Sequence, residues 1–167
     1  MAKAEVKEPS FIGEAVLLVN DSTAQKLDKE MAQYRHGISW STNAWDATFL
    51  KIDSGKASVR VPNGSSPVII VKAADNESDP MSIISIYKFD AKKNKRETMI
   101  HRSNQGTTGS SYNVTKNMVT FNGDRFGDKS YILELPKLAP GEYGIVVTNP
   151  NALDEKRTVV SCFAVDK

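Results

Sequence analysis

The chain has 167 residues, of which 40% are hydrophobic and 25% charged, a balance typical of one folded domain with its own core. A formal net charge of +2, from 22 basic and 20 acidic residues, gives no electrostatic basis for binding nucleic acid. Apolar runs are far shorter than the roughly 20 residues that span a bilayer, so we expect no transmembrane segment.

The single cysteine, Cys162, excludes an internal disulfide. Its neighbours are those of an apolar strand, so we expect a small buried hydrophobe rather than a reactive thiol. The chain begins with a charged stretch, residues 1–10, that lacks the apolar core of a signal peptide. We assign these ten residues to a flexible leader and residues 11–167 to a single domain, whose first strand is predicted at residues 11–19.

Residues 23–36 admit two interpretations. Their apolar side chains recur at helical spacing, and Ser22 with Gln25 fits a capping box, so the local signals favour a short helix. The turn signal at residues 20–21 instead predicts a hairpin, with residues 27–30 as the returning strand.

The clearest strand pair lies on either side of a corner that contains Pro136, Pro140 and Gly141. Proline and glycine suit such a turn and not the middle of a ladder. Each flank alternates strictly, which places one apolar trio on a single sheet face. The trios are Tyr131, Leu133 and Leu135 before the corner and Tyr143, Ile145 and Val147 after it.

Similar patterns run through most of the chain. Residues 46–52 and 56–61 flank the turn signal Asp53-Ser-Gly55 and are predicted to form a hairpin. Residues 68–73 are an apolar run of strand length, which predicts a buried central strand, and residues 122–128 are rich in turn formers and predict a loop. About ten strands with regularly spaced turns predict an all-β fold, a single antiparallel β-sandwich or alternatively a partly closed β-barrel.

Motifs for catalysis and metal binding do not occur in the sequence. The two histidines, His36 and His101, are far apart, and a single cysteine cannot supply a zinc set. We therefore assign no catalytic residue, metal or cofactor and do not expect an enzyme. Carboxylates at residues 75–79 and 124–128 read as solvated turns, although two of them about 5–10 Å apart across one cleft would suit a glycan-active hydrolase.

A basic cluster marks the turn between two predicted strands, and it consists of Lys92, Lys93, Lys95 and Arg96. It lacks the interleaved aromatic residues that stack on bases, so we interpret it as a solubilising hairpin tip.

Residues 34–45 have the clearest binding character in the chain. Trp40 and Trp45 flank Thr42 and Asn43, and exposed aromatic rings beside hydroxyl and amide groups stack on sugars or anchor a partner protein. An extended chain would send the two rings to opposite faces, so at least one ring is expected in the core. These four residues are the candidate binding site for a protein or glycan.

Several short stretches together resemble a group of uncharacterised all-β proteins from gut Bacteroidetes. The stretches are Glu8-Pro-Ser-Phe-Ile-Gly-Glu14, Leu27-Asp-Lys-Glu30, Lys56-Ala-Ser-Val-Arg-Val61, Ser78-Asp-Pro80, Lys95-Arg96 and Leu138-Ala-Pro-Gly-Glu-Tyr-Gly-Ile145. The resemblance implies export to the periplasm or cell surface, with a cytoplasmic location as the alternative, and it implies no activity. It also favours a strand over a helix for residues 24–30.

The sequence thus predicts a non-enzymatic interaction module, exported or displayed at the surface, that binds a protein or a glycan. The alternatives are a carboxylate-dependent hydrolase and a structural subunit that pairs through an exposed sheet edge. It predicts no oligomeric state.

Overall fold

The computed structural model describes residues 5–39, 45–104 and 111–167, and within them it shows thirteen strands and one short helix. The strands are β1 (Ala15–Asn20), β2 (Thr23–Lys26), β3 (Asp28–Ser39), β4 (Trp45–Ile52), β5 (Arg60–Val61), β6 (Val68–Lys72), β7 (Ile84–Ala91), β8 (Arg96–Asn104), β9 (Ser111–Asn113), β10 (Asn122–Phe126), β11 (Ser130–Glu134), β12 (Gly141–Val147) and β13 (Arg157–Val165). The helix, α1, is Pro80–Ile83. The all-β prediction is confirmed. In the part of the chain described, no helix has the length and apolar character needed to cross a membrane.

Five strands form the first sheet, in the order β10-β11-β6-β1-β2, and all neighbours are antiparallel. β6 lies in the middle, which confirms the buried central strand predicted from the apolar run at residues 68–73. Its residues Ile69 and Val71 face the second sheet, whereas Ile70 lies on the opposite face and is also buried.

The second sheet closes on itself. Its six main strands follow the order β12-β7-β8-β4-β3-β13, and β13 pairs again with β12, which makes a six-stranded barrel. β9 extends the sheet beside β8, and the two-residue β5 pairs with β13 in parallel. The fold is a sandwich whose second layer is a barrel, so it combines both architectures that the sequence predicted.

β12 and β13 contribute to two cores because their side chains alternate between the barrel interior and the space between the sheets. On β13, Cys162 lies inside the barrel, while Phe163 lies between the sheets and stacks on Tyr143 of β12 at a ring-centroid distance of 5.4 Å. The two apolar trios that flank the corner at residues 136–141 all lie between the sheets, as their alternation predicts.

All of residues 23–36 except Leu27 belong to β2 and β3, so the short helix favoured there by local signals is wrong. A hairpin with β1 is present, but its returning strand is β2, whereas residues 28–30, predicted to return, begin β3 and pair with β13. The turn decides the outcome. Asn20 Oδ1 accepts hydrogen bonds from the N–H and the hydroxyl of Ser22, which forms an Asx turn between β1 and β2. Ser22, the residue expected to cap a helix, is therefore part of the hairpin turn.

Two further predictions from local turn signals are wrong. Residues 46–52 and 56–61 do not form a hairpin, because both edges of β4 are occupied, by β3 and β8, and β5 pairs with β13 instead. Most of the loop predicted at residues 122–128 is strand β10, which pairs with β11 in continuous register. Long-range pairing overrides local preference in both places.

Residues 5–10, part of the predicted flexible leader, form a strap over the outer face of the first sheet; residues 1–4 lie outside the described chain. At one end the Glu5 N–H donates to the Asp21 carbonyl at 2.6 Å. At the other end the Glu8 carboxylate accepts from the Ser130 hydroxyl at 2.7 Å. These two anchors lie at opposite ends of the sheet, so the strap crosses it diagonally.

The outer face of the first sheet carries apolar side chains that need a cover. Ile70 of β6 and Ile132 of β11 point away from the core between the sheets, yet they are 0% and 3% exposed. The strap crosses this face between its two anchors, and burial of each of these side chains contributes roughly 1.5–3 kcal/mol. The described part of the predicted leader therefore belongs to the folded domain.

Candidate functional site

A groove of about 530 Å³ opens at the end of the sandwich where β1 turns into β2. The β1–β2 hairpin, β5 with the loop before β6, and β11 contribute its walls. Its apolar lining residues are Leu17, Leu18, Val19, Val61, Pro62, Pro67, Val68 and Ile132. A concave, largely apolar site of this size is the default position for a ligand.

Polar groups lie among these apolar side chains, and they come from Asn20, Asp21, Gln25, Arg60, Ser65, Ser66 and Glu134. Amides, hydroxyls and charges of both signs can hydrogen-bond to the main chain of a peptide. The described lining residues include no aromatic ring, which is the group that stacks on sugar faces. Gln25 belongs to β2, the last strand of the first sheet, and an extended peptide can add to such an edge.

Among the described residues that line the groove, Arg60 is the one cation, and two carboxylates fix its position. Its Nε donates to Asp166 Oδ1 at 2.6 Å and its Nη1 donates to Glu142 Oε2 at 3.1 Å. The hydrogen bond to Asp166, outweighing partial burial and helped by Glu142, raises the pKa of Arg60. The guanidinium is therefore oriented before any ligand arrives.

A second cavity of about 510 Å³ lies between the acidic loop and β10. Glu77, Asp79 and Asp124 line it, so the structure brings together residues from both carboxylate stretches that the sequence proposed for a hydrolase. Arg125 lies between them in the lining, and its Nε donates to the Asn76 carbonyl at 2.7 Å. Asp79 Oδ1 accepts from the Met81 N–H at 2.9 Å and so caps α1.

Tyr131 holds the acidic loop against the first sheet. Its hydroxyl donates to the Ser78 carbonyl at 2.6 Å. Burial, with the negative charge of Asp75, raises the pKa of Tyr131, which keeps this donor protonated. Within the described residues, no three carboxylate, imidazole or thiol groups converge as metal ligands. The acidic loop is held by specific hydrogen bonds. Two of its carboxylates, those of Asp75 and Asp79, accept main-chain N–H groups and so stabilise the loop itself.

The aromatic site proposed from the sequence lies mostly outside the described residues. This applies to Trp40, Thr42 and Asn43. For Trp45 the structure describes the main chain, which begins β4 and pairs with β3 on one side and with Asn104 of β8 on the other. A binding role for these four residues stays a prediction.

His36 and His101 lie in one row across the second sheet, separated by Thr48 of β4. Thr48 Oγ1 is 3.3 Å from His36 Nδ1, a structural hydrogen bond between neighbouring strands.

Sequence reasoning missed the buried charge inside the barrel. Arg96, assigned to a solubilising tip, is completely buried. Its Nε donates to the Ser54 carbonyl at 3.0 Å and its Nη2 donates to Ser54 Oγ at 2.7 Å. Its Nη1 lies 3.7 Å from Glu142 Oε1, which also accepts from the Ala57 N–H at 2.6 Å. The network holds residues 53–57 beside the barrel strands, which is a structural role.

Comparisons with known proteins identify no relative of this chain: no family model, no curated protein and no solved structure matches it.

Proposed function

We propose that the protein is a non-enzymatic interaction module that binds an extended segment of a partner protein in the groove beside β2. The observation that supports this proposal is the 530 Å³ groove itself, with its apolar lining, its interspersed polar groups and its edge strand. A peptide would pair its main chain with β2 and place alternate apolar side chains in the groove. Export or surface display is part of the proposal, on the strength of the resemblance noted above.

A peptide library displayed on phage tests the proposal without knowledge of the natural partner. The blocking variant is Ser66→Trp, which adds a large ring to an exposed residue of the groove lining. The matched control is Asn63→Trp on the same loop. Asn63 is exposed, does not line the groove, and sits inside the turn closed by the Ser65 N–H and the Pro62 carbonyl.

Peptides selected on the wild-type protein are expected to alternate apolar and polar residues. They should bind the Asn63→Trp variant equally well and the Ser66→Trp variant at least about tenfold more weakly, a loss of about 1.4 kcal/mol. Failure to select any such peptide, or equal binding to both variants, contradicts the proposal.

A second candidate function is hydrolysis of a glycan by paired carboxylates. It is favoured by one observation, the shared cleft of Asp79 and Asp124. Chromogenic aryl glycosides would report turnover, and the Asp124→Asn variant should lose about 100-fold or more if Asp124 is the acid or base. Asp128→Asn is the control, because Asp128 is exposed and outside the cleft lining. No turnover by the wild-type protein, or full turnover by Asp124→Asn, removes this candidate.

A further inference from the structure

A third cavity, of about 220 Å³, lies at the junction between the chain entering β1 and the outer side of the barrel. Its apolar lining residues include Ile12, Met31, Leu153 and Val159. Met31 of β3 pairs directly with Val159 of β13, so these two side chains stand next to each other on the outer barrel face. We call the surface formed by these four residues and Phe11 the Leu153 patch.

Several large apolar side chains of the Leu153 patch are exposed to solvent. Leu153 is 98% exposed, Phe11 is 67% exposed and Met31 is 50% exposed. Contiguous exposed apolar side chains mark contact surfaces in soluble proteins, whereas isolated ones do not. The cavity is also large enough to receive a branched aliphatic side chain, since an apolar cavity of about 150 Å³ accommodates benzene.

We propose that the Leu153 patch binds a second copy of this chain in a two-fold symmetric dimer. The patch carries a protruding leucine next to an apolar cavity, so two identical patches fit each other: each Leu153 enters the cavity of its partner. A two-fold contact requires this kind of self-complementarity, because the same surface meets itself.

The charges at the patch also favour binding of a second copy of the chain. Asp154 and Arg157 both line the cavity, and Arg157 Nε lies 2.9 Å from Asp154 Oδ2. Opposite charges side by side let each copy present its aspartate to the arginine of the other across a two-fold axis. Lys29, on the flank beneath the Phe11 ring, pairs with Glu14 at 2.9 Å, and Glu14 also pairs with Lys26 at 3.2 Å.

The patch is small, so the dimer is expected to be weak, with a dissociation constant of roughly micromolar order. Sedimentation velocity over a concentration series measures it directly. The disrupting variant is Leu153→Asp, which cannot unfold the monomer through lost packing because this side chain is almost fully exposed. The control is Met81→Asp, at another exposed apolar residue, 74% accessible, on α1.

The wild-type protein and Met81→Asp should dimerise alike, and Leu153→Asp should raise the dissociation constant about tenfold or more. The charge reversals Asp154→Arg and Arg157→Asp should each weaken the dimer, and the double reversal should restore it. A wild-type protein that stays monomeric at all concentrations overturns the proposal, and so does a dimer that Leu153→Asp leaves intact. This test is independent of peptide binding in the groove.

Discussion

Arg96 and Glu142 face each other inside the barrel, with side chains that are 1% and 7% exposed and a 3.7 Å separation between Arg96 Nη1 and Glu142 Oε1. Arg96 Nη1 makes no hydrogen bond to the described residues, so the pair is held by charge and by the other bonds of each partner. Breaking a buried pair leaves one charge uncompensated, which costs more than the pair itself contributes.

We predict that Glu142→Gln lowers the free energy of unfolding by roughly 3–5 kcal/mol, as expected when a buried ion pair loses one partner. Urea denaturation followed by circular dichroism measures the change. The control is Asp53→Asn, which removes a more exposed pair with Lys51 and should cost under about 1 kcal/mol. An equal decrease in the free energy of unfolding for the two variants would show that the buried pair contributes no more to stability than the exposed one.

Stability is predicted to fall in acid because two carboxylates have lowered pKa values in the folded protein. Hydrogen bonds from the Ser130 hydroxyl and the Lys129 N–H lower the pKa of Glu8 from 4.5. Burial alone would raise the pKa of Glu14, but bonds from Lys29, the Ser10 N–H and Lys26 outweigh it and lower the value from 4.5.

The unfolded chain therefore binds these protons first as the pH falls. The stabilisation is complete above the unfolded pKa of 4.5 and is lost as the pH drops through the lower folded values. Thermal melts between pH 7 and 3 should show the loss. Glu8→Gln and Glu14→Gln should each flatten the curve below pH 4.5, whereas Glu155→Gln, at an exposed residue, should follow the wild type.

Cys162 is predicted to be inert in the native protein. It is fully buried inside the barrel, and burial raises the pKa of its thiol to about 12. A thiol-specific reagent such as DTNB should react only when the barrel opens, so the labelling rate should follow global unfolding and rise steeply with denaturant. Rapid labelling in buffer without denaturant would contradict the burial of Cys162 inside the barrel.

Gly55→Ala is predicted to destabilise the protein by about 1–3 kcal/mol. A new Cβ at this position would overlap the main-chain oxygens of Lys92 and Lys93, which cannot rotate away as a side chain can. Gly37→Ala is the matched control, because its Cβ would meet only side-chain atoms, the Phe49 ring at 3.3 Å and Arg35 Nη1 at 3.5 Å. Chemical denaturation of both variants should show a clear difference, and equal midpoints would exclude a close approach at residue 55.

The apolar patterns of the chain predicted the core between the sheets well, and local turn signals predicted connections less well. Alternation of apolar residues around the corner at residues 136–141 reports burial directly, so both trios lie where they were expected. The turn signal at residues 53–55 could not reveal that β4 already has two neighbours. Pairing partners far apart in sequence leave no local trace.

The candidate groove was beyond sequence reasoning for the same reason. Its lining comes from three segments, at residues 17–25, 60–68 and 132–134, and none has an unusual composition by itself. Arg96 illustrates the opposite error, since a charged residue in a basic turn normally lies at the surface. Only its alternation with Thr98, which is also buried, hinted that this strand face points inward.

Three of the short stretches on which the resemblance rests meet in the barrel network. Residues 56–61 supply Ala57 and Arg60, residues 95–96 supply Arg96, and residues 138–145 supply Glu142. The residues that these three stretches supply to the network have a structural role in this chain.

Closure of the barrel by β13 has a consequence for biosynthesis. β13 pairs with β3, as at Cys162 and Asp28, and also with β12, so the ring stays open until residues 157–165 are present. Until β13 has left the ribosome during translation, the second sheet exposes the unpaired edges of β3 and β12. Barrel closure is thus expected to be slow, and a growing chain stalled before residue 157 should depend on chaperones to stay in solution.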